Sequence, residues 1–205
     1  MGRTETTTPA GELSSWLRAM VHALLTGGGS DVPCDGCTAC CRSSQFVHIG
    51  PDELDTLAHV PAELTFPAPG RPRGHVVLGY DEQGHCPMLI DDRCSIYSHR
   101  PRTCRTYDCR VFPAAGVTPD QPLVAERAAR WEFRYRDDEA RAKHAAIRAA
   151  AGFVQDHPDV LPDHVPVPST QLAVVAVELH DLFLDRDRPP GAAEVGVELR
   201  RRREG

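Results

Sequence analysis

Eight cysteines in a chain of 205 residues fall into two short windows. The first reads Cys34-Asp35-Gly36-Cys37-Thr38-Ala39-Cys40-Cys41, a CxxCxxCC run. Two residues between cysteines let a tight turn aim both sulfurs at one point, as in zinc and iron–sulfur sites. Gly36 suits that turn. Three cysteines so spaced can fill three corners of a tetrahedral sulfur site, the fourth coming from elsewhere. Adjacent Cys40 and Cys41 point in different directions, which favours two centres, or a bridging role for one of them, over a single simple tetrahedron.

The second window carries Cys86-Pro87, Cys94 and the stretch Arg100-Pro101-Arg102-Thr103-Cys104, ending at Cys109. Pro101 suits the first turn of a short helix. Cys104 then lies near the positive end of the helix dipole, a position that lowers a thiol pKa. Arg42, Arg93, Arg100, Arg102, Arg105 and Arg110 flank the sulfurs and can donate hydrogen bonds to thiolates. A general preference for arginine accounts for them equally well, since Lys143 is the single lysine. Between Cys41 and Cys86 lie 44 residues, so a shared centre closes a long loop and couples folding to metal loading.

The predicted metal ligands are thus Cys34, Cys37, Cys40, Cys41, Cys86, Cys94, Cys104 and Cys109, for zinc or iron. Two four-cysteine sites are the simplest count. Alternatively the first three join Cys86, whose Pro87 matches the remote Cys-Pro of ferredoxins, around a 4Fe-4S cluster. His48, His75, His85 and His99 read as surface or loop histidines, and Asp35, Asp92 and Asp108 as turn residues or acceptors behind the ligands.

The elements around these windows are short. Leu13, Leu17, Met20, Val21, Leu24 and Leu25 predict a packing helix over residues 11–26, stopped by Gly27-Gly28-Gly29. That triple glycine lacks the GxGxxG spacing of a nucleotide loop. Phe46–Ile49 predicts a strand, and Pro51–Leu54 the start of a helix. Val76–Leu78 and Met88–Ile90 predict strands that pair around Asp81–Gly84. Pro113–Pro122 reads as a linker, Trp131–Tyr135 as a strand, and 138–156 and 169–185 as amphipathic helices, the latter with Leu172, Val175, Leu179 and Leu182 on one face. The fold class is α+β, a small cysteine-rich metal-binding core with short strands flanked by several amphipathic helices. Residues 1–30 form an N-terminal tail, packing helix and hinge; 31–188 form the cysteine-cluster domain with its C-terminal helices; and 189–205, with the Arg200–Arg203 run, form a flexible basic tail.

Composition limits the function. Hydrophobic residues make up 41%, but only 6% are aromatic and 18 residues are proline, so the core is small and closely punctuated. A net charge of -6 argues against general nucleic-acid binding, which needs a basic excess. No run approaches the roughly 20 apolar residues of a membrane span, and the polar Met1–Ala10 stretch lacks a secretory pattern. The expected location is cytoplasmic, where clustered cysteines serve metals or redox chemistry rather than disulfides.

Both windows together resemble the cysteine-cluster family named for CxxCxxCC, a zinc- or iron-chelating domain. Cys34, Cys37, Cys40 and Cys41 match the naming motif; Gly84, Cys86, Leu89, Cys94, Ile96-Tyr97, Arg100-Pro101, Cys104-Arg105 and Cys109 match a second signature. The resemblance implies a metal-chelating module over residues 34–110, with no agreed reaction and no assigned catalytic residues. Flagellin lysine methylases have a similar cluster, which keeps a metal- or iron–sulfur-dependent redox or group-transfer enzyme, such as a methyltransferase, as one alternative. A thiol redox sensor is another.

Overall fold

A computed structural model of the chain describes all residues except 1–6, 31, 33, 35, 162–166, 186 and 205, with the side chains of 203 and 204 also left aside. The turn reading of Asp35 and the first residues of the N-terminal tail fall outside the described residues. In chain order the chain forms β1 (Thr8–Glu12), α1 (Leu13–Thr26), β2 (Val47–Ile49), α2 (Leu54–His59), β3 (Thr65–Pro67) and β4 (Val76–Leu78). There follow β5 (Leu89–Ile90), β6 (Arg93–Cys94), α3 (Arg102–Thr106), α4 (Val111–Ala115), α5 (Pro122–Ala128), β7 (Trp131–Arg134), α6 (Asp138–Asp156), α7 (Ser169–Leu179) and α8 (Ala192–Glu204). Helices and short strands in small separate sheets make this an α+β protein, as the sequence predicts.

Two compact units divide the chain: Met1–Val21, Cys109–Asp120 and Ala125–Gly205 form one, and His22–Asp108 with Gln121–Val124 the other. In the first, β1 pairs in parallel with β7, Thr8 opposite Trp131 and Glu12 opposite Arg134, with a bulge between Pro9 and Gly11. The alternation of Trp131 to Arg134 predicted this strand, and its burial alternates accordingly. Trp16 packs on Phe133 with ring centroids 4.9 Å apart. The long helix α6 begins where the Asp137 carboxylate accepts the Ala140 N–H at 2.9 Å, an N-cap. Its buried Ala140, Ala146, Ala150 and Ala151 allow close approach, and it packs against α4 and α7.

Three expectations change here. The reading of 169–185 as one amphipathic face gives way to α7, a helix buried around most of its surface, with Ala173, Ala176 and Val177 fully enclosed and Phe183, not Leu182, buried beyond it. The linker from Pro113 contains part of α4, because Pro113 sits in the first helical turn, where its missing N–H has no partner to lose. Residues 192–204 are helical rather than a loose tail: Val195 and Leu199, one turn apart, are buried, and Arg202 pairs with Asp181 at 2.8 Å.

In the second unit, β4 lies between β2 and β3, antiparallel to both. The predicted pairing of Val76–Leu78 with Met88–Ile90 does not form. Instead β5 and β6 make their own hairpin across Asp91 and Asp92, whose φ values of 47° and 58° are those of a two-residue type I′ turn. Asp81–Gly84 is a separate turn, in which Asp81 Oδ1 accepts the N–H groups of Gln83 (2.9 Å) and His85 (2.8 Å). A two-residue Asp-Asp turn competes better for Leu89–Ile90 than the longer loop does.

Candidate metal centre

The centre is built within the second unit, on a small apolar cluster of Val47, Ile49, Val60, Leu78, Met88 and Ile96. Cys86, Cys94 and Cys104 all pack against that cluster, so three positions separated by steps of 8 and 10 residues share one patch. The first window is fastened to the second by the backbone: the Cys86 N–H donates to the Cys41 carbonyl at 2.7 Å, and the Ser44 N–H to Gly84 O at 2.9 Å. Cys37 N–H donates to Cys34 O at 2.6 Å, closing the turn on Gly36, whose φ is 65°. Cys40, Cys41 and Arg42 form a single 3-10 turn.

Side chains reinforce this convergence. Arg42 Nε donates to Thr38 Oγ1 at 3.1 Å, its Nη1 to His85 Nε2 at 3.2 Å, and its Nη2 pairs with Asp92. One guanidinium therefore ties the CxxCxxCC run to the turn of the β5–β6 hairpin. Thr103 Oγ1 donates to His48 O at 2.8 Å, holding α3 on β2. The buried Glu53 carboxylate accepts the Gly50 N–H at 2.8 Å and also the Arg102 N–H, the first of α3, so it caps the helix that carries Cys104. Glu53→Ala leaves both N–H groups without an acceptor and is expected to cost about 3 kcal/mol in chemical denaturation of the metal-loaded chain.

None of the eight cysteines is joined in a disulfide, and Cys40 is exposed. Burial pushes the Cys34 thiol up to about 11, with Cys40 and Cys37 adding to the rise. Burial, then Cys40, Cys86 and Cys94, push Cys104 up to about 12. Cys40 is raised by its hydrogen bond to Cys41 and by desolvation, and Cys86 by burial, with Cys94 and Cys40 contributing. These mutual effects mark the thiols of both windows as electrostatic neighbours. They also overturn the expected low pKa of Cys104: α3 spans only five residues, and its dipole loses to burial among other thiols.

A divalent or cluster metal suits this donor set, because clustered thiols that are hard to ionise together become thiolates readily when a cation shares their charge. One buried polar atom fits the same reading. Arg100 Nε has no hydrogen-bond partner among the described residues, while its guanidinium lies over the Tyr97 ring at 3.6 Å and its charge favours the thiolates of Cys34 and Cys104. An N–H in that position can donate to a metal-bound sulfur. Of the flanking arginines, sequence reasoning treated Arg100 no differently from the rest.

The thiols are gathered rather than clenched. Among the described residues, the trio of potential metal donors whose ligand atoms all lie within 4.8 Å of one another is Asp55, His59 and His99, and no three cysteines meet that measure. Cys109 stands at the start of its stretch in the other unit, where the Trp131 indole N–H donates to its sulfur at 3.1 Å. His48 shares a hydrogen bond with His75 at 2.9 Å, and His85 receives Arg42, so these rings are engaged by protein partners. No helix is long and apolar enough to cross a membrane among the described residues.

Residues 33–128 match the sequence profile of a family, CxxCxxCC, described as "Putative zinc- or iron-chelating domain". No curated protein and no solved structure matches the chain.

Proposed function

We propose that the protein holds zinc or iron on thiols drawn from both cysteine windows, in line with the match of residues 33–128 to the CxxCxxCC profile of zinc- or iron-chelating domains. The observation that carries this reading is the Cys86 N–H to Cys41 O bond, which joins the two windows at cysteine backbones. Cys34, Cys37, Cys40, Cys41, Cys86, Cys94 and Cys104 lie in one unit and form the proposed ligand set, while Cys109 is the eighth candidate. The sulfurs close onto the ion as it binds, and the ion supplies the positive charge that the buried thiols lack. The ion crosslinks segments that no long helix or wide sheet fastens. Arg100 then gives its free Nε–H to a ligating sulfur.

The deciding experiment is oxygen-free purification followed by quantification of zinc, iron and acid-labile sulfide with an absorption spectrum. Iron with sulfide and visible absorbance identifies a cluster; colourless protein with stoichiometric zinc identifies a zinc centre; metal-free protein with eight titratable thiols removes the proposal. Metal content of Cys109→Ser, compared with Cys34→Ser and Cys104→Ser, decides the part of the eighth cysteine. Arg100→Gln is expected to weaken metal binding by about 10- to 100-fold, the range typical when a hydrogen bond to a ligand is lost. A competitive chelator titration reads that change.

A further inference from the structure

We infer that Asp55, His59 and His99 form a second divalent-cation site, made of two imidazoles and a carboxylate and distinct in chemistry from the thiols. Asp55 and His59 stand four residues apart on α2 and so share a face of the helix. His99 arrives from the second cysteine window, at the end of the 3-10 turn Tyr97–His99. That turn is pinned to α2 by Thr56, a buried residue whose Oγ1 donates to His99 O at 2.9 Å. The three ligand atoms lie within 4.8 Å of one another.

The three side chains stand in direct contact. His99 Nδ1 donates to Asp55 Oδ2 at 2.8 Å, and this bond, with the charges around it, holds the Asp55 carboxyl below its ordinary range. His59 Nδ1 donates to Asp55 O at 2.8 Å and lies 3.8 Å from Asp55 Oδ1. The two imidazoles stack face to face, centroids 3.6 Å apart and planes within 6°. A carboxylate oxygen and two imidazole nitrogens suit zinc, cobalt or nickel, with a harder donor set than the thiols offer. Three protein ligands leave coordination positions open to water. The side chains are 69% (Asp55), 42% (His59) and 37% (His99) exposed, so an ion there exchanges readily with solvent.

The test uses the full chain with its thiols already loaded with metal, titrated with zinc and followed by equilibrium dialysis and by nitrogen correlation spectra of the histidine rings. The expected result is one further zinc equivalent, with shifts concentrated in the His59 and His99 rings. Losing even a ligand's hydrogen-bond partner costs about 10-fold or more, so His59→Ala and His99→Ala are each expected to weaken the added equivalent at least that far. Both leave the thiol-held metal in place. His59 is exposed, so its replacement keeps the fold, and unchanged thiol-held metal in that variant confirms it. No further zinc, or further zinc that binds equally to the double variant, overturns the site and leaves the trio as an ion pair between α2 and the 3-10 turn. Loss of the added equivalent in His59→Ala and His99→Ala with the thiol-held metal retained separates the two sites, and a folded chain that takes zinc at the histidine rings alone would sink the thiol reading without touching this one.

Discussion

Stripping the metal with a strong chelator is expected to unfold residues 22–108 while residues 125–204 keep their protected amides in hydrogen exchange. The second unit has strands of two or three residues, helices of five or six within residues 27–108, and a core cluster of six buried hydrophobic residues. Such a core offers little against chain entropy, and small domains commonly rely on a metal for the balance. Structural zinc supplies about 10–16 kcal/mol in comparable small domains, more than the roughly 5–15 kcal/mol that holds a whole domain folded. The first unit has the 19-residue α6 and the enclosed α7, and its core is aliphatic and aromatic, so it needs no ion. Equal loss of protection in both units, or none in residues 22–108, would refute the role given to the metal. Cys34→Ser and Cys104→Ser are expected to reproduce the chelator's effect.

Metal affinity is also expected to climb steeply with pH, because the ligands bind as thiolates. Without metal, Cys34 and Cys104 titrate near 11 and 12 in the fold against 9.0 as the ordinary value. The folded state then keeps protons that the unfolded chain has lost, so alkali adds to the loss of residues 22–108 in the metal-free chain as pH rises from about 9 through 11 to 12. With metal, the same thiols are bound as thiolates, and protons compete for them as pH falls. Each proton displaced on binding changes the apparent affinity by about 10-fold per pH unit, so a four-thiolate site changes by about four decades per unit. Competitive chelator titrations across neutral pH measure the slope. A flat affinity profile would mean that thiols are not the ligands.

The sequence showed the chemistry more plainly than the architecture. CxxC spacing acts through one local turn, and that turn forms at Gly36 as read. Strand and helix readings with a clear period, Trp131–Arg134 and Asp138–Asp156, also hold, because burial on one face enforces the period. The hairpin was misjudged because the apolar runs Val76–Leu78 and Met88–Ile90 look like partners, whereas the choice is made by Asp91 and Asp92 in the turn. Helix α8 was missed because Val195 and Leu199 are too sparse to outweigh the arginines around them, and their burial depends on tertiary neighbours. The same limit hid Asp55, His59 and His99: the four-residue step is local, but the third member arrives from 40 residues away.

The contact between the Trp131 indole and the Cys109 sulfur has a practical consequence. Trp16 and Trp131 are the chain's two tryptophans, and both belong to the same unit, whereas Tyr80, Tyr97 and Tyr107 belong to the other. Intrinsic indole emission therefore follows the helical unit, together with the Cys109 thiol that Trp131 touches, and no indole lies in the unit of the other seven cysteines. A melt recorded at that wavelength would report a sturdy protein even after the half that holds the metal has come apart, and only a phenol or thiolate signal would reveal the loss.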